Sequence, residues 1–356
     1  MNKIYPCVQV DLKKIEHNVK AILDMCNKKH IVVAAVTKVF CASKPIAEAM
    51  IRAGVTGFAD ARISNLKKLK DLNCNKLMIR IPMISEASEV VKYSDTSLNS
   101  EIATIRALGL AAKDLNKTYN IILMVDLGDL REGVLSEDVA ITVKKILKLD
   151  NVKLIGLGTN LTCYGGVIPD TKNLGKLIKL KLDVEKIFGL CLPVISGGNS
   201  SSLYMVMNDT MPEEINQLRI GESLVLGRET AYGVAVPNCY EDAFILSGEI
   251  IEIKSKATVP TGNIGVDCFG SKPHFEDKGI RKRAIIAVGR QDIRLEGLTP
   301  IDTDISIFGA SSDHLILDVT DSKKELNVGD TIDFKIDYGC LLAAMTSSYV
   351  EKYYNN

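Results

Sequence analysis

Lys38 closes an otherwise apolar run, VVAAVTKVF, and a lysine in that setting can do nucleophilic chemistry. A partly desolvated amine is a better base and a better nucleophile, able to form a Schiff base with a carbonyl. The same lysine also suits a strand end from which the charge simply reaches solvent along its own methylenes. A second feature is SGGNSSSL, residues 196 to 203, where two glycines and a run of hydroxyls precede a helical stretch. Backbone N–H groups freed by glycine, with the Ser200 hydroxyl and Ser201 beside it, can cradle a phosphate dianion; a plain N-cap loop has the same composition. The third is LRIGESLVLGRET, residues 218 to 230. Arg219 can donate to an acceptor in a site, and the Gly221 and Glu222 amides can extend the phosphate cradle, though a surface salt bridge would also account for Arg219. No GK[ST] follows a glycine loop and no Gly-x-Gly-x-x-Gly occurs, so neither a P-loop nor a dinucleotide fingerprint is present.

These three features need a scaffold that brings strand ends together. Up to about residue 235 the chain alternates short β-branched runs with longer helical stretches, the pattern of parallel α/β architecture. The runs fall at 31–37, 55–60, 76–81, 95–99, 120–126, 152–158, 192–198 and 218–223. Eight such strands alternating with helices predict a (β/α)8 barrel of TIM type rather than an open sheet, and place Lys38, Ser200 and Arg219 at the carboxyl-end face where barrel active sites lie. After about residue 240 the texture becomes strand runs separated by Gly, Asp, Asn and Pro, a mainly β domain. The expected organisation is an N-terminal strand over 1–12 that pairs outside the barrel, a barrel over 13–237 and a C-terminal β domain over 238–356.

Composition narrows the function. Across 356 residues, 44 basic side chains balance 44 acidic ones, so net charge attracts neither nucleic acid nor an anionic membrane. No apolar run approaches the roughly 20 residues needed to cross a bilayer, and the first residues lack a basic region followed by an apolar core, which predicts a cytoplasmic protein. The nine cysteines are scattered without a CxxC pair or a nearby histidine at metal-ligand spacing; reduced thiols and no metal site are expected.

The segments VQVDLKKIEHNV, AAVTKVF, VDLGDLREG, GTNLTCYGG, SGGNSSSL, LRIGESLVLGRE and GASSDHLILDVTD, in this order and over nearly the whole chain, resemble the fold-type III pyridoxal 5'-phosphate (PLP) enzymes typified by the alanine racemases. FADARISNLKKL, VDLGDLREGV, GTNLTCYGGVIP, FEDKGIRKRAI and GRQD look nearest to the ornithine racemases of the alanine/ornithine racemase-like branch. The resemblance implies PLP carried as a Schiff base on Lys38, with Ser200, Gly221 and Glu222 at its phosphate and Arg219 facing its pyridine nitrogen. It further implies Asn160 against the ring, Arg131 near the phenolic oxygen, and a head-to-tail homodimer whose active sites borrow residues from the partner's β domain. The activity implied is amino-acid racemisation, with ornithine preferred over alanine, serine or lysine. Two other readings are weighed. Decarboxylation lacks a match in the β domain, and a non-catalytic PLP-homeostasis protein would be a lone barrel.

Three departures bear on mechanism. Arg290 stands where the alanine racemases place the tyrosine that acts as second base, Ala42 replaces a phosphate-touching tyrosine, and Met124 replaces a modified lysine that steadies the arginine of the LGDLREG stretch. Lys38 accounts for proton transfer on one face of the substrate Cα. Candidates for the opposite face, beside Arg290, are Asp267, Cys268, Asp292, Ser312 and Asp313, all in the β domain; His274 and His314 also lie there, but His314 alternates with the apolar run LILDV, as a solvent-facing residue would. Asp267, Asp292 and Asp313 also qualify to pair with a distal ammonium. As alternatives, Asp267 and Asp292 are turn formers, Ser312 is a turn hydroxyl and Cys268 is a small apolar residue.

Overall fold

The computed structural model describes residues 3–356, and the chain divides into two compact units, Leu12–Glu241 and a second built from the first eleven residues with Asp242–Asn356. The first strand, β1 (Cys7–Asp11), belongs to the second unit, as its alternation of buried and half-buried residues requires. The chain then enters the helix Leu12–Asn27, whose buried Leu12, Ile15, Val19, Ile22 and Cys26 follow the three-and-four spacing of one helical face.

Eight parallel strands close the first unit into a barrel: β2 (Val32–Val36), β3 (Gly57–Asp60), β4 (Asn75–Met78), β5 (Thr96–Asn99), β6 (Tyr119–Met124), β7 (Val152–Gly158), β8 (Val194–Ser196) and β9 (Gln217–Ile220), with β9 pairing back onto β2. All eight lie where the apolar runs predict them, which gives the TIM-type fold. The interior is filled by Ala34, Val36, Ala59, Leu77, Leu98, Ile122 and Met124, with Ile79, Ile81, Ile155 and Val194 packed against them. Residues two apart, Ala34 with Val36 and Ile122 with Met124, share that inward face because strand side chains alternate. Once the interior is packed with apolar side chains, polar residues at the strands' carboxyl ends are left to face the loops.

The second unit is an eight-stranded, largely antiparallel sheet in the order β12 (Leu298–Pro300), β15 (Thr331–Ile336), β10 (Phe244–Ala257), β11 (Ile280–Ile286), β14 (Leu315–Asp318), β13 (Ser306–Ala310). β1 adds antiparallel to β10 and parallel to β16 (Glu351–Asn355). β15 stops at Ile336, because the Asp337 side chain accepts from Cys340 N at 2.7 Å and caps a helix, Tyr338–Thr346. No helix of the described residues is long and apolar enough to cross a membrane, and no disulfide forms among the described cysteines.

Asp318, buried in this unit, accepts from Arg281 Nε at 2.7 Å and from the Thr320 hydroxyl at 2.7 Å. Burial alone would raise its carboxyl, but the Thr320 and Arg281 hydrogen bonds and the Arg281 charge bring it below its ordinary value. A folded-state value below the unfolded one adds stability above the unfolded pKa of about 4 and loses it as pH falls through the folded value. Asp318→Asn should therefore be less stable than wild type at neutral pH, with the gap narrowing below about pH 4. Denaturant unfolding of both proteins across that range checks this.

Candidate active site

β2 ends at Val36, and one residue later Thr37 still donates its N–H to Ala59 O at 2.9 Å, holding it to β3. Lys38 then opens a short 3-10 turn, Lys38–Phe40, and is half-buried. Asp60 closes β3 as Lys38 follows β2. Its fully buried carboxylate accepts from Thr37 Oγ1 at 2.6 Å, Arg62 N at 2.8 Å and Asn65 Nδ2 at 3.2 Å. Burial raises the Asp60 carboxyl above its ordinary range, opposed by those hydrogen bonds and by the charge of Lys38.

Arg219, on β9, is buried, and none of its hydrogen bonds goes to a carboxylate: Nη1 donates to Ser196 Oγ, and Nη2 to Thr159 O at 2.7 Å and Asn160 Oδ1 at 3.5 Å. Burial lowers its pKa to about 10, against the opposing pull of Glu132. Asn160 Oδ1 also accepts from Asn199 Nδ2 at 3.1 Å, while Asn160 Nδ2 is buried without a partner. In the SGGNSSSL turn the Asn199 side chain accepts from Ser201 N at 2.8 Å and fixes the start of a second 3-10 turn, Ser200–Ser202. Ser200 Oγ accepts from Gly221 N at 3.2 Å and Ser223 N at 3.4 Å, so it joins this turn to the start of the helix Glu222–Leu226. The hydroxyls of Ser201 and Ser223, both buried, have no partner.

The loops after β6 and β7 complete this mouth. Asp129, 1% exposed, accepts at Oδ1 from Thr162 N (3.0 Å) and Val167 N (3.2 Å), and at Oδ2 from Cys163 N (3.3 Å) and Tyr164 N (3.1 Å). Its carbonyl takes Gly165 N at 3.1 Å, an approach so close that a Cβ on Gly165 would lie 2.8 Å from that oxygen. Arg131, in the same loop as Asp129, is exposed and paired with Glu132, whose hydrogen bonds raise the guanidinium above its ordinary value.

The β-unit candidates fall into two groups. The turn at Gly289 to Asp292 lies against the turn at Ser311 to Asp313: Arg290 N and Gln291 N donate to Ser311 O and Ser312 O at 2.9 and 3.1 Å, and a Cβ on Gly289 would meet Ser312 O at 2.2 Å. Ser312 Oγ donates to Asp313 Oδ2 at 2.7 Å. The Arg290 guanidinium sits 5.7 Å from the Phe269 ring and within 3.4 Å of Glu296, which brings the exposed segment carrying Asp267 and Cys268 to the same place. Asp267 and Asp292 have structural partners. Asp267 Oδ1 accepts from Phe269 N and Ser271 N, both at 2.9 Å, and buried Asp292 accepts from Ser347 Oγ at 2.6 Å.

A family model described as the alanine racemase N-terminal domain matches residues 10–229. The chain belongs to the alanine racemase family. It is 50% identical to the ornithine racemase of Acetoanaerobium sticklandii, over 98% of this chain and 99% of the relative. It is 39% identical to the lysine racemase of Thermotoga maritima, over 99% of each. The alanine racemase of Bartonella henselae, solved with covalently bound pyridoxal phosphate, shares the fold at a TM-score of 0.75 and 16% identity, over 99% of this chain and 100% of that one.

PLP is the cofactor of this family, and the mouth of the barrel fits it. A buried polar atom without a partner costs about 1–3 kcal/mol, and here three such atoms, on Asn160, Ser201 and Ser223, lie just beyond the ends of β7, β8 and β9, the end of the barrel at which Lys38 follows β2 and Arg219 is buried. A phosphorylated pyridine ring offers acceptors of the kind those donors lack. Among the described residues no group of three or more His, Cys, Asp or Glu is arranged to hold a metal ion. Met124, at the position of the family's modified lysine, is fully buried among the apolar barrel residues and carries no charge, and Glu132 is the anion beside Arg131. Ala42 is buried behind the Lys38 turn.

Sequence reasoning missed Asp60, Asp129, Asn199 and Ser223. Asp60 carries the signal that singled out Lys38, a lone charge closing an apolar strand, and Ser223 stands two residues after Gly221. Asp129 and Asn199 act through backbone contacts that spacing does not display. Because an amide keeps only one acceptor oxygen, Asp129→Asn should unfasten part of the 162–167 loop. We expect a loss of about 1–3 kcal/mol and faster hydrogen exchange confined to those amides; unchanged exchange there would contradict the assignment.

Proposed function

We propose that the protein is a PLP-dependent amino-acid racemase that interconverts L- and D-ornithine. The observation that carries the reading is the convergence of Lys38, buried Arg219 and the unpartnered atoms of Asn160, Ser201 and Ser223 at one end of the barrel. Ornithine as substrate rests on the 50% identity to an ornithine racemase over nearly the full length of both chains.

In this reading Lys38 holds the cofactor, Ser200, Ser201 and Ser223 with the Gly221 and Glu222 backbone surround its phosphate, and Arg219 donates to its ring nitrogen. The Gly221 N–H already reaches Ser200 Oγ, so Gly221 acts on the phosphate through that hydroxyl. Asn160 packs against the ring, its amide orientation set by Asn199 and Arg219, and Arg131 approaches the phenolic oxygen with Glu132 balancing its charge. When bound, PLP stabilises the negative charge that develops at Cα as the α-proton leaves. Lys38 takes or returns that proton on one face.

The opposite face needs a second acid/base, and the reading assigns it to the β unit of a partner in a head-to-tail homodimer working in the cytoplasm. Asp313 and Cys268 are the favoured candidates, because the turns carrying Arg290, Ser312 and Asp313 are locked together and Cys268 lies in the segment drawn against Arg290, whose guanidinium supplies a fixed charge and Ser312 a hydroxyl that orients Asp313. Asp267 and Asp292 rank behind them because their carboxylates are engaged.

The test is chiral chromatography of single enantiomers of ornithine, lysine, alanine and serine incubated with the purified protein. Ornithine should be racemised with the highest kcat/KM, and Lys38→Ala should lose the visible absorbance of lysine-bound cofactor together with at least about a thousandfold of the rate. A protein that carries PLP yet leaves L-ornithine unchanged refutes this function, and faster turnover of lysine would move the substrate to the second relative's.

A further inference from the structure

Lys38 is displayed by a turn that its own sequence does not favour. Cys41 and Ala42, immediately beyond it, both adopt left-handed backbone, with φ of 54° and 52°, a conformation disfavoured for residues with a Cβ. Such a turn persists where its surroundings over-determine it. Here a closed circuit of hydrogen bonds does so. Thr37 Oγ1 donates to Asp60 Oδ2 at 2.6 Å, and Asn65 Nδ2 donates to the same carboxylate at 3.2 Å. Asn65 Oδ1 accepts from Lys68 Nζ at 3.1 Å, and Lys68 Nζ also donates to Cys41 O at 2.8 Å. Cys41 N donates to Lys38 O at 3.2 Å and Ala42 N to Thr37 O at 3.1 Å, returning the circuit to its start.

The circuit is centred on Asp60, which is fully buried and whose carboxylate is held by Thr37, Arg62 N and Asn65 with the Lys38 charge acting on it. Asn65 is 8% exposed and Thr37 is fully buried, so the polar cluster is enclosed between β2, β3 and the helix Ile63–Lys68. A satisfied polar network in a low-dielectric setting fixes one geometry sharply. What this one fixes is the backbone on both sides of Lys38.

We propose that Asp60, acting through Thr37, is a positioning residue for Lys38: it sets where the Lys38 amine stands for cofactor attachment and proton transfer, without itself touching substrate. The inference rests on the functional reading above, since it presumes that Lys38 carries PLP. Its sequence signature is the pair of polar residues closing two adjacent strands, Thr37 with Lys38 after β2 and Asp60 after β3.

The test compares full-length wild type with Asp60→Asn, Thr37→Val, Thr37→Ser and the Thr37→Val/Asp60→Asn double variant. A misplacement of about 1 Å can cost about a hundredfold in rate. Asp60→Asn and Thr37→Val should each lower kcat for ornithine by about 10- to 100-fold while KM moves less than about threefold. After removal of PLP, both should regain the visible absorbance of lysine-bound cofactor about tenfold more slowly than wild type. Thr37→Ser, which keeps the hydroxyl, should recover most of what Thr37→Val loses. The double variant should be no worse than about twofold below the poorer single one, because both changes break one contact. Wild-type kcat and cofactor uptake in Asp60→Asn and Thr37→Val would overturn the proposal, as would independent, multiplicative losses in the double variant or a Thr37→Ser no better than Thr37→Val. Should Asp60→Asn fail to fold, the Thr37→Val and Thr37→Ser pair still decides. A wild-type chain that took up no PLP would overturn the functional reading instead.

Discussion

The site is organised by the burial of one positive charge. Taking a guanidinium out of water carries an effective penalty of several kcal/mol, and the usual remedy is a carboxylate in contact. Arg219 instead meets a serine hydroxyl, a backbone carbonyl and an amide oxygen, with Glu132 acting only at longer range. The neutral acceptors are delivered by two neighbouring strand ends: Ser196 by β8, and Thr159 and Asn160 from the end of β7. Leaving Arg219 without a contacting anion keeps its donors polarised toward whatever enters the barrel mouth. On the proposed reading Arg219 would donate to the cofactor's pyridine nitrogen and keep it unprotonated, which would limit how far charge spreads into the ring and suit a reaction that only exchanges a proton.

Buried carboxylates do a different task at the same end of the barrel. Asp60, Asp129 and Glu229 are each almost wholly enclosed, and each takes backbone N–H groups from its own or a neighbouring loop. Glu229 accepts from Ala231, Tyr232 and Val234, much as Asp129 accepts from the 162–167 loop. Charge-assisted bonds to backbone donors are roughly twice as strong as neutral ones, so these residues convert loops into fixed walls. Negative charge is thereby consumed in holding loops and is not offered to Arg219.

How much of this could be read in the sequence follows from what each residue contacts. The barrel strands were legible because a parallel strand buried on both faces is a short uninterrupted apolar run, and IVVAAVT and NIILMVD show nothing else. β16 was missed because its residues, EKYYN, are exposed or half-buried and carry no apolar run, and β12 because it is three residues long. The helix Tyr338–Thr346 was not seen because it is apolar nearly throughout, so that no periodicity marks it; only the Asp337 cap marks its start. Lys38 and Arg219 were found because each is a charge in an apolar strand run, and Ser200 because it stands in a glycine- and hydroxyl-rich turn before a helical stretch. Asp60 breaks such a run too and passed as the last residue of its strand, since an acid there invites no nucleophilic chemistry. The partners of Asp129 are backbone amides, and those of Asn199 include the Ser201 amide, the Leu161 carbonyl and the Asn160 side chain of a distant loop; no spacing rule encodes either set.

The β unit narrows the second acid/base by chemistry rather than by position. A guanidinium does not give up its proton in proteins, so on the proposed reading Arg290 cannot be the group that removes the α-proton. Its Nε is directed to Ala310 O and its Nη1 toward Glu296, with the Phe269 ring against the guanidinium, an arrangement that holds a cation in one place. A fixed cation suits an anionic neighbour such as a substrate carboxylate. Ser312 and Asp313 are coupled by a hydrogen bond, and a hydroxyl donating to a carboxylate is oriented but weakly basic. On the proposed reading, proton removal from the second face therefore falls to Cys268 or to Asp313 itself, with Arg290 as a fixed charge nearby.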